Sequence, residues 1–279
     1  MRRRLLAWFR GNARDLPWRE TVDPYRIWVS EIMLQQTQVA TVIPYYQRFL
    51  QMFPNVAELA GADEADVLRM WEGLGYYRRA RQMHAAAKVM MDQHQGEFPG
   101  DIAAVRALPG IGRYTAGAVL SMAFDQRLPI VEANTVRLYS RLLAYDQDPT
   151  ASQGQKVLWE FAESLLPRKH VGTFNQALME LGSSICTARQ PDCEKCPLAT
   201  LCPTQAKGLQ QQIPAKKKRA PIEALRQACV VVWRNNRVLL RRCGDQERWA
   251  GMWDFPRFDL RAHRGAALRN ELSEKVTQM

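Results

Sequence analysis

Residues 108–141, LPGIGRYTAGAVLSMAFDQRLPIVEANTVRLYSR, form the stretch of sequence that decides the fold. Pro109 ends any helix that precedes it. Gly110 and Gly112 permit positive φ and let a backbone approach closely. An apolar, helical run follows at 114–123. A glycine hairpin that leads into a helix N-terminus leaves N–H groups pointing outward, which favours an anion such as phosphate.

A lone carboxylate, Glu132, lies twenty residues after Gly112, between the apolar pair Ile130 and Val131 and a new helix. Together these features predict a helix-hairpin-helix over about 101–123 that binds a DNA backbone and holds an acid beside it. The alternative is an ordinary glycine-bounded turn between two core helices.

The charge of the chain favours a polyanionic partner. The 279 residues carry a net charge of +11, which indicates nucleic acid before membrane, although a merely basic protein remains the alternative. No apolar run approaches the length of a bilayer span, and the N-terminal MRRRLLAWFRG has too short an apolar core for a signal peptide. A cytoplasmic location is therefore expected.

The chain divides into a helical part and a β-containing part. Residues 1–185 show amphipathic, helical periodicity with almost no strand signal, so an all-α domain is predicted over 1–205. Within it, Asp23 and Pro24 begin a helix that is expected to continue to about Ala40.

After residue 205 the composition changes. Residues 206–224 contain prolines and a basic run, and are predicted to be a linker. Residues 225–279 begin with β-branched, apolar sequence, and Asn235-Asn236 is typical of a hairpin turn. The β-containing module is expected to be incomplete, because it is short for a domain.

Four of the six cysteines are clustered as C-x6-C-x2-C-x5-C, at Cys186, Cys193, Cys196 and Cys202. In a reducing compartment such a cluster more often holds metal than disulfides. Four thiolates within 17 residues suit a 4Fe–4S centre. Structural zinc is the rival, but it usually shows two short knuckles, and only one short pair is present here.

Glu31 is the only charged residue in the apolar segment 27–34. On a continuous helix it would share a face with Gln38. A carboxyl group in apolar surroundings can retain a proton near neutral pH and act as a general acid. An isolated glutamate more often reaches for water at the edge of an apolar stripe. A second carboxylate at Glu132 favours the catalytic interpretation, because one protonated and one ionised carboxyl group can break a glycosidic bond.

Aromatic rings and amides accompany these acids. Several rings lie at turns or helix starts, where they could stack on bases or wedge between them, or simply pack in the core. These rings belong to Trp18, Tyr76, Tyr77 and Tyr114. Hydrogen-bonding amides follow Glu31 at Gln35, Gln36 and Gln38.

These motifs together resemble the A/G-specific adenine DNA glycosylases of the MutY type, within the endonuclease III-like helix-hairpin-helix superfamily. The matching segments are LPWR (16–19), DPYRIWVSEIMLQQTQV (23–39), GLGYYRRAR (73–81), LPGIGRYTAGAV (108–119), FNQALMELG (174–182) and the cysteine cluster. The resemblance implies two helical subdomains with a DNA-facing cleft between them, a 4Fe–4S cluster, and a monomer acting on double-stranded DNA.

The resemblance also implies roles for single residues. Glu31 matches the acid that protonates adenine, and Tyr114 the active-site tyrosine beside the departing base. Positions around the extruded adenine are matched by Arg14, Trp18, Arg19, Leu34, Val39 and Gln176. The segment that probes the opposite 8-oxoguanine is matched by Gln36, Thr37, Leu74 and Tyr76, with Tyr76 as the wedge. The phosphate-binding loop is matched by Leu108, Gly110 and Gly112. Bifunctional relatives carry lysine at position 114, so a monofunctional glycosylase is implied.

Two departures from the family pattern stand out. The family usually has Asp-Gly-Asn where this chain has Glu132-Ala133-Asn134, which moves the carboxylate out by one methylene, about 1.5 Å. A displacement of about 1 Å can cost on the order of a hundredfold in rate. The second departure is C-terminal: residues 230–258 resemble only the opening strands of the family's Nudix-like domain, which helps to recognise 8-oxoguanine.

The sequence therefore predicts an iron–sulfur glycosylase that removes adenine from A·8-oxoguanine or A·G mispairs. Glu31 would protonate the base and Glu132 would stabilise the sugar cation. One alternative is a related glycosylase acting on another mispaired base, against which Tyr114 and the QQTQV segment argue. The other is a DNA-binding module with a weakened active site.

Overall fold

The computed structural model describes residues 1–215, 224–244, 246–247, 249–261 and 264–278. They belong to two compact units, residues 1–217 and 218–279. The first unit is helical, which confirms the predicted all-α class. None of the helices in the described ranges has the length and apolar character that crossing a membrane requires.

Twelve α-helices are described in the first unit. They are α1 (Arg2–Asn12), α2 (Pro24–Leu34), α3 (Val39–Met52), α4 (Val56–Gly61), α5 (Glu64–Met70), α6 (Arg78–His94), α7 (Ile102–Ala107), α8 (Arg113–Phe124), α9 (Ala133–Leu143), α10 (Ser152–Leu165), α11 (Val171–Ser184) and α12 (Pro203–Ala206). Two single-turn 3₁₀ helices lie at Pro17–Arg19 and Ala199–Leu201.

The helices pack around two separate hydrophobic cores. One core draws its buried side chains from residues 16–120, with Trp28, Phe49 and Trp71 fully buried at its centre. The other is built from α1, α9, α10 and α11 and includes the fully buried Tyr139 and Phe174. The N-terminal helix therefore packs with the later part of the unit, and the two cores define two helical subdomains.

The central hairpin forms as the sequence predicts. Asp101 caps α7 by accepting hydrogen bonds from the backbone N–H groups of Ala103 and Ala104, and α8 starts directly after the glycine turn. Gly110 has a φ of +77° and a Cβ there would lie 2.7 Å from that of Gln82, so glycine is required. Gly112 has an ordinary φ of −89° and uses no such freedom.

The helix that carries Glu31 is shorter than the sequence predicts. The expected continuation to about Ala40 is wrong, because α2 ends at Leu34. Gln36 has a φ of +57°, in the left-handed region that interrupts a helix. Gln38 lies beyond this break and does not share a helical face with Glu31.

The helical unit continues past the boundary at residue 205 that the sequence suggests. Ile213 is buried, and the carbonyl groups of Gln210 and Ile213 accept hydrogen bonds from the guanidinium of Arg141. Residues up to 214 therefore pack on α9, whereas 216–223, in the middle of the predicted linker, lie outside the described residues.

Within its described residues, the second unit contains short antiparallel strands and one helix. Its elements are β1 (Gln227–Cys229), β2 (Trp233–Arg234), β3 (Arg237–Val238), β4 (Arg241–Arg242), β5 (Trp253–Asp254), β6 (Arg257–Asp259) and α13 (Gly265–Thr277). The pairs are β1 with β6, β2 with β3, and β4 with β5. Asn235 and Asn236 both have positive φ, as a two-residue type I′ hairpin turn requires.

Candidate functional site

A cleft of about 760 Å³ opens between the two helical subdomains. Its volume is in the range of small-molecule sites, roughly 300–1,000 Å³. The sequence-predicted residues on its walls are Arg14, Trp18, Arg19, Glu31, Leu34, Gln36, Thr37, Val39, Gly110, Gly112, Tyr114, Glu132 and Gln176. The structure thus brings together groups from five segments that are far apart in the chain.

Glu31 lies at the bottom of this cleft on α2. Asp23 fixes the start of the helix by accepting hydrogen bonds from the backbone N–H groups of Tyr25 and Arg26, and the apolar sequence buries the helix on nearly every side. The Glu31 side chain is only 5% exposed. Burial is the largest influence on it and raises its pKa to about 7, because a low-dielectric site disfavours the charged form.

Tyr114, in the first turn of α8, is the hydrogen-bonding partner of Glu31. Its hydroxyl donates to Glu31 Oε2 over 2.6 Å and lies 3.4 Å from Met179 Sδ. Burial and the two neighbouring carboxyl groups raise the pKa of Tyr114 well above its usual value. The phenol therefore stays protonated and acts only as a donor toward Glu31.

Glu132 occupies the N-cap position of α9, with its carboxylate turned back onto its own helix. Oε1 accepts from Thr135 N at 2.9 Å, and Oε2 accepts from Asn134 N at 2.8 Å and Asn134 Nδ2 at 3.2 Å. The hydroxyl of Thr135 completes a capping box by accepting from Glu132 N. The longer side chain is thus held by a local capping arrangement while still lining the cleft.

The surroundings of Glu31 and Glu132 differ, and the difference indicates which of the two carboxyl groups more readily holds a proton. Burial raises the pKa of Glu132, but N–H groups of Asn134 and Thr135 and the charge of Arg137 oppose the shift. Glu31 accepts one hydroxyl, and the negative charge of Glu132 raises its pKa further. Since donors stabilise an ionised carboxylate, the surroundings of Glu132 favour its charged form more than those of Glu31 do, and Glu31 is the better placed of the two to hold a proton near neutral pH.

Glu180, on α11, is a cleft residue that the sequence reasoning missed. It is 1% exposed and accepts from Arg14 Nε at 2.6 Å and Arg19 Nη2 at 2.7 Å. Although burial favours the neutral acid, the two arginines lower its pKa. It was detectable as the single charge in the apolar motif FNQALMELG, by the same reasoning that identified Glu31.

Other residues on the cleft walls were not predicted to be catalytic or substrate-binding. They are Leu16, Ile27, Ser30, Gln35, Gln38, Thr115, Met122, Ala133, Asn134, Met179 and Ser183. Most are apolar or small, and these types carry no chemical signal in a sequence. Of them, only Gln35 and Gln38 belonged to a predicted amide group.

Three predicted residues lie away from the walls of this cleft. Leu74 and Leu108 are buried, so their side chains support the two loops rather than face a ligand. Tyr76 is 62% exposed and has a φ of +48°, which projects its ring from a strained turn. A ring this exposed is consistent with a wedge at the protein surface. It is neither packed in the core nor part of the cleft floor.

The four clustered cysteines line a single cavity, together with side chains of α9 and the loop after α11. In the part of the chain that the structure describes, no three His, Cys, Asp or Glu side chains are arranged to hold one metal ion. Four cysteine thiols around one cavity are a ligand set that suits a 4Fe–4S cluster. Cys229 and Cys243 belong to the second unit.

Arg137 connects this cysteine loop to the start of α9. Its guanidinium donates to the carbonyl groups of Cys186 and Gly182, both at 2.6 Å, and to Asn134 Oδ1 at 2.9 Å. Arg137 thus links the start of the cysteine loop and the end of α11 to the backbone that presents Glu132.

Family models match two parts of the chain. Residues 29–164 match the HhH-GPD superfamily base excision DNA repair protein, and residues 186–202 match the iron–sulfur binding domain of endonuclease III. The second match confirms the predicted 4Fe–4S cluster and the four cysteines lie within it.

Similar proteins are known by sequence and by structure. The chain is 39% identical to the adenine DNA glycosylase of Rattus norvegicus, covering 92% of this chain and 51% of that protein. It is 36% identical to the adenine DNA glycosylase of Buchnera aphidicola subsp. Schizaphis graminum, covering 92% and 74%. A solved thermostable thymine-DNA glycosylase is similar with a TM-score of 0.68 and 32% identity, covering 74% of this chain and 95% of that one. The chain thus spans about half the length of the rat protein and about three quarters of the bacterial one.

Proposed function

Because the chain belongs to the adenine DNA glycosylase family of the HhH-GPD base excision repair superfamily, we propose that it removes adenine from A·8-oxoguanine or A·G mispairs in double-stranded DNA. The reaction is hydrolysis of the N-glycosidic bond. The observation that carries the proposal is the pair of unlike carboxyl groups on the walls of one cleft: Glu31 is buried and, among the described residues, accepts only the Tyr114 hydroxyl, whereas Glu132 accepts three N–H hydrogen bonds.

The proposed chemistry divides between the two acids. Protonation of the purine ring by Glu31 makes the base a better leaving group, as a general acid does in glycoside hydrolysis. The negative charge of Glu132 stabilises the oxocarbenium-like sugar that develops as the bond breaks. Water then adds to the sugar, and the carboxylate that has lost its proton can accept one from that water.

Tyr114 supports a monofunctional reaction. Cutting the strand through a Schiff base requires an amine nucleophile, and the position beside Glu31 is filled by a phenol that donates to it. The role of Tyr114 is to hold Glu31 in place beside the leaving base.

Access to the base requires that adenine leave the helical stack. Unstacking costs a few kcal/mol and is cheapest at a mispair. The hairpin 108–112, followed by the N-terminus of α8, offers backbone N–H groups for a DNA phosphate. The Arg14, Arg19 and Glu180 network lines the same cleft and supplies fixed polar groups for the edge of an extruded base.

A 4Fe–4S cluster would be held by Cys186, Cys193, Cys196 and Cys202. When bound, it supplies a rigid, charged core to the loop that packs on α9. The reaction proposed above uses only side chains of the cleft.

Excision of thymine is the second candidate function, because a thymine-DNA glycosylase is among the similar structures. Single-turnover assays on duplexes with A·8-oxoguanine, A·G, T·G and A·T separate the two. Rapid release of adenine from the first two, with little from A·T, supports the proposal. Release of thymine from T·G without adenine release would replace it, and no excision from any duplex would leave a DNA-binding module.

A further inference from the structure

Arg79, in the first turn of α6, is a buried arginine that lies at the end of the Glu31 helix. It is 9% exposed. Its Nη1 donates to the carbonyl oxygens of Ile32 at 2.9 Å and Met33 at 3.0 Å, and also to that of Gln35. The last carbonyl groups of a helix lack partners within the helix, and a positive charge there interacts favourably with the negative end of the helix dipole. Arg79 therefore accounts for the end of α2.

The other nitrogen of the same guanidinium holds a second segment. Arg79 Nη2 donates at 3.2 Å to the carbonyl oxygens of Leu74 and Gly75 and to Thr37 Oγ1. The guanidinium carbon lies 5.6 Å from the centre of the Tyr76 ring. One side chain thus ties the turn before Tyr76 to the turn that follows the Glu31 helix.

Both turns contain a residue in the left-handed region, with φ of +57° at Gln36 and +48° at Tyr76. Such conformations persist only where surrounding contacts impose them. The planar guanidinium reaches six acceptors in two directions. A lysine ammonium is a point charge with three donors and cannot span them.

We propose that Arg79 is a positioning residue that couples the exposed Tyr76 turn to the helix of the catalytic acid, so that wedge insertion at a mispair and alignment of Glu31 occur together. This inference rests on the proposed function and extends it to selectivity. If Arg79 served only to fill the core, its loss would slow excision equally on every duplex. Coupling instead predicts that selectivity among duplexes is lost.

The test compares Arg79→Lys with Arg81→Lys, the same substitution two positions along α6. Arg81 is a matched control because its nearest acceptor is Glu64 at 3.3 Å, away from both turns. Single-turnover excision is measured on A·8-oxoguanine, A·G and A·T duplexes. A 2-aminopurine placed beside the mispaired guanine reports unstacking by its rise in fluorescence.

Arg79→Lys should lower the ratio of excision on A·8-oxoguanine to that on A·T by at least about tenfold and abolish the 2-aminopurine rise, while Arg81→Lys keeps both. Thr37→Val removes one acceptor of Arg79 and should lower the same ratio of excision rates by a smaller factor. This variant replaces Arg79→Lys in the test if Arg79→Lys does not fold. A uniform loss on all duplexes, with the fluorescence rise retained, would overturn the coupling. If the wild type excises no adenine, the proposed function fails, and the fluorescence comparison alone then decides the role of Arg79.

Discussion

The Tyr114 hydroxyl donates a 2.6 Å hydrogen bond to Oε2 of Glu31 from a position 83 residues away in the chain. This bond favours the ionised carboxylate, whereas burial favours the protonated acid. Burial is the larger effect, and the pKa of Glu31 rises to about 7. The contact thus holds the acid in place while burial keeps its pKa close to neutrality.

Glu31→Gln should abolish adenine excision without unfolding the protein. Glutamine has the same shape and accepts the Tyr114 hydroxyl, but it has no proton of suitable pKa to give. General acid catalysis is typically worth about 10²–10⁴-fold, and the single-turnover rate should fall by at least the lower figure. The affinity for an A·G duplex should stay close to that of the wild type. A variant that excises adenine at more than a tenth of the wild-type rate would exclude Glu31 as the acid.

Burial of Glu31 should also make stability depend on pH. Its pKa is about 7 in the folded protein, against 4.5 as the usual value, so the folded state binds the proton more tightly. Ionisation of buried Glu31 lowers the free energy of unfolding. This loss is absent below pH 4.5, grows as pH rises, and is complete above about pH 7, where it reaches about 3 kcal/mol. Urea unfolding at pH 5 and pH 8 should show the wild type losing about this much stability relative to Glu31→Gln. If the free energy of unfolding depended on pH in the same way for the wild type and Glu31→Gln, this prediction would be wrong.

Tyr114→Phe should shift the pH dependence of excision rather than stop the reaction. Without the hydroxyl, the ionised form of Glu31 loses the bond that lowers its pKa. Glu31 should then retain its proton to higher pH, and the alkaline fall in excision rate should move in the same direction. A pH–rate profile from pH 6 to 9 measures this. A shift toward lower pH would mean that the Tyr114 hydroxyl stabilises the protonated form of Glu31 instead of the ionised one.

Glu132 should be needed for its charge, because its capping role can be fulfilled by other side chains. Glu132→Gln keeps an oxygen that can cap α9, and the stability loss should be within roughly 0.5–2 kcal/mol. Excision should fall by about a hundredfold or more as the sugar cation loses its counter-charge. Glu132→Asp retains the charge and is a preferred N-cap, so it should excise adenine at least as fast as the wild type. Unaltered excision by Glu132→Gln would remove the residue from the mechanism.

The sequence predicted those parts of the site that depend on local pattern. The hairpin at 108–112, the isolated Glu31 and the Asn235-Asn236 turn each follow from neighbours along the chain. The end of α2 did not, because the carbonyl groups after Glu31 are bound by Arg79, more than 40 residues later. Glu180 was detectable from its apolar motif, but its pairing with Arg14 and Arg19 was not, since these partners lie at least 161 residues away.

Glu180→Ala should destabilise the helical unit and weaken binding of the extruded base. Removing one partner of a buried ion pair typically costs about 3–5 kcal/mol. Since the Arg14 side chain is 44% exposed and can be solvated, we expect about 3 kcal/mol in chemical unfolding. The matched control is Glu160→Ala, which removes an exposed pair with Lys156 at 3.9 Å and should cost under about 1 kcal/mol. Equal losses of unfolding free energy in the two variants would show that the ion pairs of Glu180 stabilise the protein no more than an exposed pair does.

Replacement of one clustered cysteine should remove the iron–sulfur cluster as a unit. The purified protein should be brown, with about four iron atoms per chain, as a Cys₄-ligated 4Fe–4S centre requires. Cys196→Ala should lose the visible absorbance and lower the thermal midpoint, because the cysteine loop packs on the core that contains α9. Cys229→Ala, an exposed cysteine of the second unit, should keep both. Colourless protein that contains a single zinc ion would contradict the cluster.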